Sequence, residues 1–524
     1  MSAVPVLAMR GLHVRVDGQG GEPLLGPLDL DVAAGECLAI VGESGAGKSL
    51  ATLSLLGLLP PNLHASGTLT VDGRPIAPGS RAHAALRGRV IAWVPQDALA
   101  ALHPLRRIGA QLREALHVAG VARGEELPRA LALLERAGLP SAQSLLDRRP
   151  HELSGGQRQR VCIALALASS PRVLIADEPT SALDPRVGRG ILELLGALRR
   201  DLGLAVVLVS HDLPLVATLA QRVLVLHRGR CVEAGATAAV FAHPQAAYTR
   251  ALLAATRLAA APSATVGAVL LQTDALSVRY PRAARDALAP TSITLHRGQC
   301  LALVGESGSG KSTLARAALR LLRGGVHGRI VLDGIDLQAL APGALRALRR
   351  RIGVVFQDPF ASLDPRMTAA QIVAEPLRIH GIDDETTRRV RAIDLLRSVG
   401  IDADAADRYP HQFSGGQCQR IAIARALATN PELLVCDEAV SALDARSRAA
   451  ILRLLARLKT ERGLALLFIT HDFDAAQALA DAIAVMHEGS IVESGQAAQV
   501  LAQPLHPYTV QLLAARMRTL AAAQ

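Results

Sequence analysis

A chain of 524 residues, half of them hydrophobic and 20% charged, is too long for one small binding module and too apolar for a disordered segment, so more than one hydrophobic core is expected. Aromatic residues supply only 2% of it, which argues against a protein that reads single-stranded nucleic acid by stacking bases on rings. The net charge of +11 suits either an anionic partner or a compositional bias, and of the 57 basic residues only Lys48, Lys311 and Lys459 are lysines.

From Met1 to Asp17 no basic stretch leads into an apolar core, so no secretory signal is expected. The longest apolar stretch, after Ser49, soon meets Gly57, Pro60 and Pro61, too early for a membrane span, and a cytoplasmic location is the expectation. Cysteines 37, 162, 231, 300, 418 and 436 stand singly, without a CxxC pair or zinc spacing, and read as reduced, mostly buried thiols.

Cys37 to Val41 is an apolar run that enters a Gly-rich loop and then a helical pattern, the order strand, phosphate loop, helix. The loop, Gly42, Glu43, Ser44, Gly45, Ala46, Gly47, Lys48 and Ser49, fits G-x-x-x-x-G-K-[ST]. Its glycines let backbone N–H groups wrap phosphates at a helix N-terminus, its lysine reaches the β and γ phosphates, and its serine can ligate magnesium. Gln96 follows a short apolar strand and can reach a metal or water, although a lone glutamine is ordinarily a loop residue. Between Gln96 and Ser154, Ala, Leu and Arg recur at helical spacing, enough for a small helical subdomain. Ser154, Gly155, Gly156 and Gln157 then cap an apolar helix, which makes an anion site without a lysine. Val173 to Ala176 is a strand closed by Asp177 and Glu178, one carboxylate for the metal's water shell and the other to polarise an attacking water. His211 follows the strand Ala205 to Ser210, where an imidazole either contacts a γ-phosphate or is structural.

The second half repeats this order. Lys48 and Lys311 are 263 residues apart, Gln96 and Gln357 261, and the serine, aspartate and histidine pairs 260. The second phosphate loop is Gly305, Glu306, Ser307, Gly308, Ser309, Gly310, Lys311 and Ser312; Ser414, Gly415, Gly416, Gln417, Asp437, Glu438 and His471 complete the set. A repeat this long is a duplicated domain, not a solenoid unit. Two α/β domains around largely parallel sheets are predicted, at 4–257 and 270–517, joined by a small-residue linker over 258–269.

This set of motifs, in this order, resembles the nucleotide-binding domains of ATP-binding cassette (ABC) proteins, over almost the whole chain. The resemblance implies tandem P-loop NTPase domains, each with a mostly parallel core sheet, an antiparallel β subdomain and a helical subdomain, and it implies ATP and Mg2+ as ligands. It implies head-to-tail pairing of the two domains within one chain. One site then combines Gly42 to Ser49, Gln96, Asp177, Glu178 and His211 with Ser414 to Gln417, and the other combines Gly305 to Ser312, Gln357, Asp437, Glu438 and His471 with Ser154 to Gln157. Ser181 to Asp184 and Ser441 to Asp444, both SALD, would link the sites. Ser49, Gln96 and Asp177, with Ser312, Gln357 and Asp437, are the implied metal ligands, and Glu178, Glu438, His211 and His471 the implied catalytic groups.

Tyr280 matches the aromatic that stacks on adenine in such domains, whereas Val16 occupies that place in the first copy, which puts the first adenine contact in doubt. DEAVSALD replaces DEPTSALD in the second copy and Cys418 stands opposite Arg158, but no catalytic group is lost, and two hydrolytically competent sites are expected.

QDPFASLDPRMT and the endings HPQAAYTRALL and QPLHPYTVQLL resemble importers of the dipeptide, oligopeptide and nickel group, in which tandem fusions include ATPases of microcin C and glutathione type. The four-cysteine cluster that follows HPYT in some relatives is missing, since no cysteine follows Cys436. The expectation is a peripheral ATPase on the cytoplasmic face of the inner membrane, bound to two integral-membrane permease subunits and served by an extracytoplasmic binding protein, with no nucleic acid. The alternatives are a soluble twin-cassette factor on ribosomes, whose kind carries a long charged linker unlike the one here, or a nickel or sugar importer ATPase.

Overall fold

The computed structural model describes all residues except 1–3, 19–21, 181, 182, 184, 257, 259–266, 282–284, 323, 442 and 522–524. The chain divides into two compact units that part after Thr256. Most of the expected linker lies outside the described residues, and Val269, expected to be its last residue, already belongs to the strand Val269–Val278.

Among the described residues of the first unit, one sheet is antiparallel, in the order Leu25–Val32, Leu7–Val16, Leu63–Val71, Arg74–Ile76. Leu7 pairs with both Val32 and Val71, so alternate residues of the central strand point into a common apolar core. The second sheet runs Arg230–Ala236, Arg222–His227, Cys37–Val41, Ala205–Ser210, Val173–Asp177, Ile91–Val94, parallel throughout except for Arg230–Ala236. Its middle strands, CLAIV, VLIAD and AVVLVS, are buried at every position because both faces are covered, which is why they lack polar alternation. One face packs toward the antiparallel sheet and the helix Lys48–Leu56. The other packs against Gly155–Leu167, Pro185–Leu202 and the helical subdomain of Ile108–Val118 and Glu126–Arg136.

The second unit has the same plan. Its antiparallel sheet runs Leu288–His296, Val269–Val278, Val326–Leu332, Ile335–Asp336, and its larger sheet Ile352–Val355, Leu433–Asp437, Ala465–Thr470, Cys300–Val304, Ala482–His487, Ser490–Gln496. Ala369–Ile379 and Glu385–Ser398 form the helical subdomain.

Register decides where the chemistry falls. Val41 lies opposite Ser210, Asp177 opposite Val209, and Val94 opposite Ala176. The carboxyl ends of these parallel strands therefore share one edge, where ligands bind in open α/β sheets. The segments that begin at Gly42, Gln96, Glu178 and His211 all leave from that edge.

Candidate active site

Gly42 sits at φ 156° at the end of its strand, and a Cβ there would lie 2.4 Å from the Leu226 carbonyl oxygen, so the chain turns into the loop only with glycine. Gly305, at φ 159°, meets the Met486 carbonyl oxygen at 2.3 Å in the same way. Each loop ends on a left-handed glycine, Gly47 at φ 104° or Gly310 at φ 101°, that caps the helix opening with Lys48 or Lys311. The first backbone N–H groups of each helix have no intrahelical acceptor and face the loop, which favours an anion.

Both lysines are buried and folded over their loops. Lys48 Nζ donates to Gly42 O at 2.8 Å and Glu43 O at 2.9 Å; Lys311 Nζ donates to Gly305 O at 2.8 Å and Glu306 O at 2.7 Å. Burying an ammonium is costly without polar partners, and the loop carbonyls supply them. The chain uses arginine nearly everywhere else, but a planar guanidinium would not enter this narrow turn as a compact point charge does.

Glu178 and Glu438 carry positive φ angles, 44° and 49°, although neither is glycine. Such strain persists only where neighbours enforce it. Their backbone N–H groups are held by the next strand, at Val209 O (2.8 Å) and Ile469 O (3.0 Å). The Glu178 side chain accepts from Gln96 Nε2 at 2.9 Å, lies 3.1 Å from His211 Nδ1 and stands 3.8 Å from Lys48 Nζ. Glu438 accepts from Gln357 Nε2 at 2.9 Å and lies 3.7 Å from His471 Nδ1. Glutamine, glutamate and histidine, assigned only by pattern in the sequence, are thus in contact in both units.

The adjacent carboxyls are pushed apart in acidity. Burial, with the Glu178 charge, raises the Asp177 pKa to about 6. Burial also raises Glu178, but the His211 ring and the Lys48 charge outweigh it and leave the group below its ordinary value. Asp437 is likewise raised, chiefly by burial, and Glu438 is lowered, chiefly by the His471 ring. A carboxylate kept ionised beside a phosphate loop can hold and polarise water, while buried Asp177 and Asp437 offer hard oxygen donors of the kind Mg2+ takes. In the second unit the metal-type donors already touch: Ser312 Oγ donates to Asp437 Oδ1 at 2.7 Å. The donor chemistry and the open cradle around Gly45 and Gly308, where a Cβ would meet nothing within 4 Å, fit a magnesium-bound triphosphate.

Ser154 and Ser414 cap Gly155–Leu167 and Gly415–Leu427 through reciprocal boxes: each serine Oγ accepts from the N–H of Gln157 or Gln417 at 3.3 Å, and each glutamine Oε1 accepts from the serine N–H. The glycines have a packing reason as well. A Cβ on Gly156 would strike Val187 Cγ1 at 2.4 Å, and one on Gly416 would strike Ser447 Oγ at 2.9 Å. Tyr280 lies just beyond Val269–Val278, 43% exposed, with its hydroxyl 3.5 Å from Thr313 Oγ1 on the helix after the phosphate loop, whereas Val16 ends Leu7–Val16. Ser181, Ala182 and Asp184 of the first SALD segment, and Ala442 of the second, lie outside the described residues.

An ABC transporter family model matches residues 25–181 and again 288–441, well over half of the chain. The chain belongs to the ABC transporter ATPases. A second model, the C-terminal region of oligopeptide/dipeptide transporters, matches 492–524 of this ABC ATPase. The glutathione import ATP-binding protein GsiA of Escherichia coli K12 is 41% identical to it over 98% of this chain and 90% of its own, and that of Shigella sonnei matches to the same extent. A solved dimeric structure of the ATP-binding cassette MJ0796 with ADP and Pi is 31% identical, with a TM-score of 0.41, over 44% of this chain and 99% of its own. The chain is therefore an ATP-binding ATPase of the oligopeptide/dipeptide importer family, a subunit type that works with permease partners. No described helix is long and apolar enough to cross a membrane.

The tyrosines of the two copy endings were not recognised as site residues in the sequence. Tyr248 and Tyr508 reach the phosphate loops, and their 260-residue separation, the same as that of His211 and His471, is the signal that would have found them.

Proposed function

We propose that this ATPase drives uptake of small peptides or glutathione-like peptides across the inner membrane, on whose cytoplasmic face it sits beneath two permease subunits supplied by an extracytoplasmic binding protein. The observation that carries this reading is the match of 492–524 to the C-terminal region of oligopeptide/dipeptide transporters, together with 41% identity to a glutathione import ATPase over nearly the full chain.

In this proposal the loop N–H groups and Lys48 or Lys311 bind the phosphates of ATP. Ser49, Gln96 and Asp177, or Ser312, Gln357 and Asp437, would hold Mg2+, whose charge would offset that of the phosphates. Glu178 or Glu438, ionised and oriented by the glutamine and histidine beside it, holds the attacking water in line, and His211 or His471 contacts the terminal phosphate. Each site is completed across the chain by the serine-glycine tip of the other unit, Ser414 to Gln417 for the first loop and Ser154 to Gln157 for the second. The exposed serine-capped helix start then serves the γ-phosphate of its sibling. ATP binding closes the units and phosphate release reopens them, which moves the permease.

Uptake of labelled glutathione and dipeptides by cells lacking this chain tests the cargo class. Restoration by the parent and not by the Glu178→Gln/Glu438→Gln chain is expected. Uptake unchanged by loss of the chain, or co-sedimentation of the protein with ribosomes and not with membranes, would contradict it.

A further inference from the structure

In each unit a tyrosine from the C-terminal end of the copy reaches the root of the phosphate loop. Tyr248, on the helix Ala247–Thr256, accepts a hydrogen bond from the Glu43 backbone N–H at 3.1 Å; Tyr508, on Pro507–Ala521, accepts one from the Glu306 N–H at 3.2 Å. The other end of the same peptide unit is the carbonyl of Gly42 or Gly305, which accepts from the loop lysine at 2.8 Å. One peptide plane is thus held by an ammonium on its carbonyl side and by a phenol on its amide side.

The tyrosine is itself fixed. Its ring lies against His227 or His487, with centroids 4.0 and 3.9 Å apart. Those histidines follow Leu226 and Met486, whose carbonyl oxygens crowd Gly42 and Gly305, so one strand end shapes the loop root and seats the ring. The approach to the tyrosine helix is pinned by a carboxylate: Glu233 accepts from the N–H groups of Gln245 and Ala246 at 2.8 and 3.1 Å, and Glu493 from those of Leu505 and His506 at 2.9 and 3.0 Å. The two copies differ in sequence here, Gln-Ala-Ala before one tyrosine and Leu-His-Pro before the other, yet the contact recurs.

A lysine that turns to a triphosphate must leave the Gly42 or Gly305 carbonyl, and a glycine-flanked peptide freed on that side can rotate. We propose that Tyr248 and Tyr508 are positioning residues that hold this peptide plane when the lysine lets go, so that the C-terminal segment of each copy sets the ATP affinity of its own loop. The proposal rests on the phosphate-loop reading above.

The full chain with Tyr248→Phe/Tyr508→Phe keeps both rings and removes both hydroxyls. ATP KM and the ATP dissociation constant should rise roughly 2- to 10-fold, as expected for loss of one hydrogen bond, with KM changing by a larger factor than kcat and the melting temperature of the nucleotide-free protein, which makes the same bond, falling by no more than about 6 °C. An unchanged KM, with or without a lower melting temperature, overturns the proposal. Independently, Tyr508→Phe should speed amide exchange within 305–311 in the ATP-bound state and leave 42–48 unaffected; equal protection in variant and parent also overturns it. The Lys48→Ala/Lys311→Ala chain separates the two readings: loss of ATP binding there upholds the phosphate loops whatever the tyrosines do, and retained binding would overturn those loops and this proposal together.

Discussion

Lys459, the lysine outside the phosphate loops, gives a sharp stability prediction. It lies in the last turn of Ala445–Arg462, and its Nζ bonds Asp481 Oδ1 at 3.0 Å and Oδ2 at 2.8 Å, with the two side chains 6% and 8% exposed. Asp481 Oδ2 also accepts the Cys300 N–H at 2.7 Å, at the start of the central strand that delivers the second phosphate loop. The first unit does the same job with a neutral amide, since Gln221 Oε1 accepts the Cys37 N–H at 2.8 Å and Arg199 stands where Lys459 does. At 2.8 Å and an effective dielectric of 20 the gross attraction is about 6 kcal/mol. Desolvating both ions offsets most of it, so the intact pair is worth little, but Lys459→Met leaves a buried carboxylate without its ammonium at a cost of about 3–5 kcal/mol. For a unit of this size that lowers its melting temperature by roughly 6–20 °C. Calorimetry of the nucleotide-free full chain should show the second unit's transition falling and the first unit's staying, and Lys459→Met/Asp481→Gln recovering most of the loss. A single-variant shift under roughly 2 °C, or a double variant as unstable as the single, would refute the reasoning.

Other expectations follow from the same geometry. Glu178→Gln/Glu438→Gln keeps the shape and the Gln and His neighbours but removes the ionised acceptor, so steady-state ATP hydrolysis should fall about 10²- to 10⁴-fold while ATP binding by calorimetry persists; turnover near the parent rate would exclude these bases. Gly42→Ala places a methyl 2.4 Å from a backbone oxygen; about 1–3 kcal/mol of strain weakens ATP binding by roughly 5- to 150-fold, which nucleotide titration of that variant on a Lys311→Ala background reads. Arg351 and Arg297 hold Glu432 below its ordinary value of 4.5, and Asp333 is held low by the same two arginines. Because these folded-state values are depressed, their stabilisation is fully present above about pH 4.5 and fades as pH falls through the folded values. Glu432→Gln should therefore destabilise the second unit at pH 7, by a margin that shrinks as pH falls from about 4.5 through the folded values, measured by urea unfolding across that range.

Much of the site was legible because its chemistry is local to strand ends. A loop, a carboxylate pair or a histidine placed right after a buried apolar run must emerge at the carboxyl edge of a parallel sheet, so Lys48, Glu178 and His211 could be grouped before any distance was known. The duplication doubled each signal. What stayed hidden was long-range pairing: the 260-residue repeat marks Tyr248 and Tyr508 but not their partners, Tyr248 meeting Glu43 across 205 residues, and Lys459 meets Asp481 from a different element. The domain join was read one residue long at its far end because Val269 looks like a small apolar linker residue until its pairing with His296 makes it strand. The capping role of Gln157 and Gln417 went unread although serine followed three residues later by glutamine, ahead of an apolar run, is the pattern of a reciprocal cap.

The most direct test of the account asks which loop each serine-glycine tip serves. The proposed pairing would place Lys48→Ala and Ser414→Arg in one composite site and Lys48→Ala and Ser154→Arg in two different ones, and defects within one site do not add while defects in separate sites do. Steady-state ATPase rates of the two double variants should differ: Lys48→Ala/Ser414→Arg should run at the rate of its slower parent single, and Lys48→Ala/Ser154→Arg should fall well below both singles. Equal rates, or the reverse order, would contradict the shared-site arrangement.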